Sequence, residues 1–258
     1  ALEDEVILEQ IRAFHAAGFG GFSPQARIGL SRGIGYLTPE FFRLVRLATE
    51  EAARLGMAVM LYDEGSYPSG SAQGRVVAAN PDFAARCLIP MTRRITGPAR
   101  GYWRPNPGRA LRDELIGVVL GQEIGPDAVD PTTLQPLEIV EPGMVRYDLP
   151  AGDWVLTAVW HAFSGGTIRG VFPEEEDGHV EAPAAADILN PDAVQSFIEL
   201  VYDRYAEEFG DEFGKTVIAI FTDEPSMRGR GGKGLPGTSD ILPAVNRILG
   251  YDFTPHLA

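Results

Sequence analysis

The sequence predicts an α/β chain built on a parallel sheet and interrupted by an antiparallel β-rich insertion. Two apolar runs without alternation, MAVMLY at 57–62 and TVIAIF at 216–221, have the pattern of strands covered on both faces. Each comes after an amphipathic helical segment with its own start signals, the order that feeds parallel pairing through helical crossovers. Between about residues 88 and 184 the texture changes to short apolar runs separated by Gly, Pro, Asp and Asn turns, the signature of antiparallel strands. At 258 residues and 45% hydrophobic content the chain buries a sizeable core, and 30 Gly with 20 Pro make it rich in loops without making it disordered.

Residues 3–17 place Val6, Ile7, Ile11 and Phe14 on one helical stripe, and Gly18 is a natural stop. FGGFSPQA then reads as a short strand opening into a loop. The next helix has Thr38 as N-cap, Pro39 at its first position, Glu40 in its first turn and Gly56 past its end. The runs ELIGVVLG, EIVEPGMVRYDLP and WVLTAVWHAF form the insertion. Helical spacing returns after Asn190 and Pro191, with Val194, Phe197, Ile198, Val201, Tyr205 and Phe209 on one stripe. RGRGGKG, residues 228–234, is a basic loop without the spacing of a phosphate cradle.

A net charge of −14 argues against nucleic acid or an anionic membrane as partner and suits a neutral or cationic substrate. Cys87 is the only cysteine, so no intrachain disulfide forms, and no Cys/His spacing marks a metal. No run reaches the roughly 18 apolar residues of a membrane span and no signal-peptide pattern opens the chain. A cytoplasmic location is the default expectation, with the compartment open because the chain begins at Ala1. Oligomeric state is not legible.

Both apolar runs stop at paired carboxylates, Asp63–Glu64 in LYDEGSYPSG and Asp223–Glu224 in IFTDEP. C-terminal strand ends of a parallel sheet point to one face, so carboxylates from neighbouring strands meet there. Strands about 4.8 Å apart set such groups roughly 5–10 Å from each other, the interval over which two carboxylates hydrolyse a glycosidic bond. Asp63, Glu64 and Glu224 are the candidate catalytic residues. Asp223, Tyr62, Tyr67, Arg27 and His161 are the candidate substrate-binding residues, with Trp103 or Trp160 as further stacking surfaces. A chain with 36 acidic residues contains DE pairs by chance, and Asp before a turn often only caps backbone N–H groups, so the repetition after apolar runs carries the argument.

The series GFGGFSPQARIGLS, YLTPEFFRLVRLATEEAARLGMAVMLYDEGSYPSGSAQG, DILNPDAVQSFIELVYDRYAEEFGDEFGKT and IFTDEP resembles the catalytic region of glycoside hydrolase family 106, the α-L-rhamnosidases and their broader relatives. The resemblance covers about residues 3–80 and 185–257. It implies a partial (β/α)8 TIM-type barrel with an inserted antiparallel β-rich subdomain, hydrolysis of a glycosidic bond, and Glu224 as general acid. It also implies an inverting outcome and a bound calcium ion, although the residues themselves call for no cofactor. The expected division is 1–87 and 185–258 for the barrel and 88–184 for the insertion, in a chain truncated at both ends. Two other classes fit the same residues. One is a sugar-binding protein without turnover. The other is a sugar isomerase whose divalent metal is held by Asp63, Glu64, Asp223 and Glu224.

Overall fold

The structure, a computed structural model, describes residues 4–106, 113–176 and 178–257. It divides into two compact units, Ala1–Ala85 with Gly165–Gly232, and Arg86–Ser164 with Lys233–Ala258.

In the first unit α1 (Asp4–Ala16) leads to β1 (Gly21–Phe22), α2 (Pro39–Leu55) and β2 (Ala58–Tyr62). The start signals of α2 act as the sequence predicts. Thr38 accepts a hydrogen bond from the Phe41 N–H, and Gly56 closes the helix in the left-handed region at φ 70°. After the short α3 (Arg75–Ala79) the chain leaves for the second unit. It returns to form α4 (Pro191–Phe197), a π turn (Ile198–Tyr202) and α5 (Asp203–Phe209), which run on as one rod, and then β9 (Val217–Phe221), the intervening strands lying in the second unit. The strands form a parallel sheet in the order β1-β2-β9, with Val59 opposite Val217 and Tyr62 opposite Phe221. Phe41, Phe42 and Val45 of α2, Val59 and Leu61 of β2, and Phe197, Tyr205 and Phe209 of the rod share one buried core.

The expected barrel is therefore not closed among the described residues. Three parallel strands are present, β2 pairs on both sides, and β1 and β9 are the edges.

In the second unit β3 (Arg86–Trp103), β4 (Glu114–Gly125), β5 (Ala128–Val129), β6 (Gln135–Pro136), β7 (Ile139–Glu141), β8 (Met144–Phe163) and β10 (Leu235–Pro236) make an antiparallel sheet, and α6 (Ile241–Leu249) comes after it. The long pair β3 and β8 runs from Arg86 opposite Phe163 to Trp103 opposite Val145. By compactness, Gly165–Gly232 belongs to the first unit and Lys233–Ala258 to the second. Residues 165–187 have little regular structure, but bridges from Tyr67 to Arg169 and from Ala84 to Ala186 tie them to the first unit. Leu235 pairs with Leu88, a contact across 147 positions that no local pattern announces.

No helix of the described residues is long and apolar enough to cross a membrane.

Glu51 of α2 is 7% exposed and accepts from Arg54 at 2.6 and 2.7 Å and from Arg12 of α1 at 2.7 Å. Arg54 and Arg12 hold its pKa at about 2, below the usual 4.5. A depressed carboxylate contributes stability that is present above pH 4.5 and lost as pH falls towards about 2. Thermal unfolding of Glu51→Gln followed by circular dichroism is expected to show a lower Tm at neutral pH and a flatter loss across that acid window. A parallel fall in parent and variant would show that the two ion pairs contribute nothing to folding.

Candidate functional site

The C-terminal ends of β1, β2 and β9 lie side by side, so the loops leaving them share one rim of the sheet. Arg27 comes from the loop after β1, Tyr62 to Gln73 from the end of β2, and Thr222 to Pro225 from the end of β9.

Glu64 turns inward and is completely buried. Its carboxylate accepts from five backbone N–H groups: Gly65 at 2.7 Å, Gly70 at 3.1 Å, Ser71 at 2.8 Å, Ala72 at 2.9 Å and Gln73 at 2.5 Å. Ala72 and Gln73 sit in the left-handed region at φ 50° and 55°, with Gly74 next at 77°, and Ser66 is held at 86°. Successive residues in such conformations aim their N–H groups into one concavity, a nest that binds an anion. Here the anion is the chain's own side chain. Burial pushes the Glu64 pKa up to about 7, while the N–H groups of Ser71, Gln73, Gly65 and Ala72 pull it down. Gly65 is required by close packing, since a Cβ there would come within 2.9 Å of the Tyr36 ring and of Gln73.

Asp63 is equally buried and is met by hydroxyls: Ser69 at 2.6 Å, Thr222 at 2.7 Å and Tyr202 of the π turn at 2.9 Å. Ser69 in turn accepts from the Asp223 N–H at 2.9 Å and donates its own N–H to the Asp223 carbonyl at 3.0 Å. Asp63 therefore stitches the loop after β2 to the end of β9. Tyr205 adds a second tie from the rod, donating to the Tyr62 carbonyl at 2.7 Å.

The sequence places Asp63 and Glu64 at a ligand, and Asp63 lines a cavity with Ser69, Tyr202 and Thr222. Both are 0% exposed, and their oxygens are engaged by the protein's own donors. The same engagement bears on a metal. Neither carboxylate is arranged as a ligand, and among the described residues no group of three or more His, Cys, Asp and Glu side chains is placed to hold an ion.

Asp223 and Glu224 have different surroundings. Asp223 is partly exposed, pairs with Arg27 at 3.2 Å and accepts from the Tyr62 hydroxyl at 3.4 Å. Arg27 also donates to the Ser66 carbonyl at 2.9 Å and lies 4.8 Å over the Tyr62 ring. Tyr62 itself is 1% exposed and stacks on Phe221, so it supports this pair rather than offering a ring to a sugar. Glu224 is exposed, accepts a hydrogen bond from the Tyr67 hydroxyl, and has a φ of 41°. A non-glycine residue in the left-handed region costs roughly 1–3 kcal/mol and persists where its surroundings over-determine it. The bond to Glu224 also raises the pKa of Tyr67, because it disfavours loss of the phenolic proton beside a carboxylate.

His161 lies in β8 of the second unit, opposite Leu88 and Glu114. It is 2% exposed, and burial together with the nearby Arg86 charge lowers its pKa to about 4, so it is neutral at neutral pH. Trp103 and Trp160 belong to the same sheet.

Of the expected site residues, the structure brings together Arg27, Tyr62 and Asp223, and joins Tyr67 to Glu224. Sequence reasoning missed Ser69, Tyr202 and Thr222. Thr222 stands directly before Asp223, which was a signal; a helical tyrosine among several was not.

No family model matches the chain, and no curated protein matches it. A solved structure of a rhamnosidase from Novosphingobium sp. PP1Y is similar, with a TM-score of 0.57 and 15% identity over 99% of this chain. The chain spans 40% of the length of that structure. The likeness is one of fold.

Glu64→Gln would turn an amide NH2 towards N–H groups that need an acceptor. Urea unfolding at about pH 5, below the Glu64 pKa of about 7 so that no buried charge opposes folding, is expected to show a loss of about 1–3 kcal/mol. An unchanged midpoint would mean that the N–H groups find other partners.

Proposed function

We propose that this chain carries the acid-bearing part of a glycoside hydrolase, acting on an α-L-rhamnoside or a related sugar, with Glu224 as the general acid. The observation that carries the reading is Glu224 itself: an exposed carboxyl at the C-terminal end of a parallel strand, in a backbone conformation that glutamate avoids, held by one phenol. Strained residues of this kind gather at reacting centres. The similarity of fold to a rhamnosidase supports the reaction class.

In this reading Glu224 gives its proton to the glycosidic oxygen as the bond to the anomeric carbon breaks, so the leaving sugar departs as an alcohol. Tyr67 sets the direction of the carboxyl. Asp223, fixed by Arg27 and Tyr62, binds a sugar hydroxyl or orients its neighbour. Asp63 and Glu64, the expected bases, are buried with their oxygens engaged by the protein's own donors, and Asp63 also lines a cavity with Tyr202 and Thr222.

The burial of Asp63 and Glu64 among the protein's own donors favours a second reading, a sugar-binding protein that keeps the cleft without turnover. Saturable sugar binding without product at any pH would distinguish it.

For the hydrolase, Glu224→Gln in the full-length protein is expected to lower kcat on a natural rhamnosyl disaccharide by a factor of about 10² or more. An activated aryl rhamnoside, whose leaving group needs less protonation, should lose less. Disaccharide hydrolysis within tenfold of the parent removes Glu224 from the role.

A further inference from the structure

A residue before proline ordinarily takes an extended backbone, because the proline ring crowds the α region. Glu224 stands before Pro225 and yet has a φ of 41°, so the restraint lies in what holds its neighbours. The residues at this strand end are tied one after another. The Asp63 N–H donates to the Phe221 carbonyl at 3.2 Å, and the Thr222 hydroxyl donates to the Asp63 carboxylate at 2.7 Å. At Asp223 both backbone groups go to a single residue. Its N–H donates to the Ser69 hydroxyl oxygen at 2.9 Å, and its carbonyl accepts from the Ser69 N–H at 3.0 Å. That carbonyl belongs to the planar peptide ending at the Glu224 nitrogen, so φ at Glu224 is a rotation away from a plane that Ser69 holds.

Ser69 is itself held. It is 3% exposed, and its hydroxyl has one proton, which goes to Asp63 at 2.6 Å and leaves the oxygen lone pairs for the Asp223 N–H. Tyr202 and Thr222 occupy the other oxygen of the same carboxylate. We propose that Ser69 is a positioning residue for Glu224. Oriented by Asp63, it holds the Asp223–Glu224 peptide so that the Glu224 carboxyl meets the Tyr67 hydroxyl and points at the glycosidic oxygen. This rests on the glycoside hydrolase reading. Ser69 acts through the backbone and touches no substrate.

A stitch that only kept the rim folded would lower stability and all turnover alike, so the test reads the acid itself, in the full-length protein. Ser69→Ala leaves Asp63 with Thr222 and Tyr202. It is expected to lower kcat on a natural rhamnosyl disaccharide about tenfold with KM within about twofold, and kcat on an activated aryl rhamnoside by less than about threefold. Added to Glu224→Gln it should remove less than about twofold more, because the two changes abolish one action. Ser69→Cys, a weaker acceptor of similar shape, is expected to fall between, and it takes the place of the alanine variant if that one does not fold. A second readout needs no turnover. The bond to Glu224 is the largest cause of the raised Tyr67 pKa, and NMR titration of the tyrosine rings is expected to find the Tyr67 midpoint lowered towards 10.0 by Ser69→Ala as by Glu224→Gln. Equal losses on both substrates, a full loss on top of Glu224→Gln, or a Tyr67 midpoint unmoved by Ser69→Ala overturns the proposal. Glu224→Gln without leaving-group dependence refutes the hydrolase, and the Tyr67 midpoint then still decides whether Ser69 holds Glu224.

Discussion

The rim of the first unit depends on one buried carboxylate. Glu64 gathers the N–H groups of the segment just after it, and that segment, with several residues in the left-handed region, has no regular secondary structure to satisfy them. Without an internal anion those donors would be buried and unpaired, a state that costs more than the bonds contribute. The loop therefore has one conformation for an electrostatic reason. Tyr67 and Ser69 occupy their places as a result, and through them Glu224 and Asp223 do also.

Carboxylate pairs that look alike in sequence thus have different surroundings. Asp63 and Glu64 face a shell of hydroxyls and amides and act on the protein. Asp223 and Glu224 face the rim. The difference lies in the residues on the C-terminal side of each pair. After Glu64 come serines and glycines able to wrap a side chain, whereas Glu224 is succeeded by Pro225, which has no N–H to offer it.

Much of the parallel unit was legible because its signals are local. Thr38, Pro39 and Gly56 bound α2, Asn190 and Pro191 open the rod, and uninterrupted apolar runs became β2 and β9. The pairing of β10 with β3 was not legible, because the two are far apart in the chain and a Leu–Pro dipeptide carries no trace of its partner. The fate of Asp63 and Glu64 was hidden for a related reason. Their donors are positioned by backbone angles at Ala72 and Gln73, residue types that seldom adopt them, and only Gly70 and Gly74 hinted at an unusual path. Arg27 and Glu224 could be found because each lies just past the end of a strand.

The π turn at Ile198–Tyr202 bears on what one rod can reach. Tyr202, the last residue of the π turn, and Tyr205, three residues further on, grip consecutive residues of one strand end, the Asp63 side chain and the Tyr62 carbonyl. A π turn takes up one more residue than an α turn, so what lies beyond it keeps the face it would have in a regular helix one residue shorter. Tyr205 and Phe209 thereby stay on the core. The widened turn thus lets Tyr202 reach Asp63 while Tyr205 and Phe209 remain packed against α2 and β2.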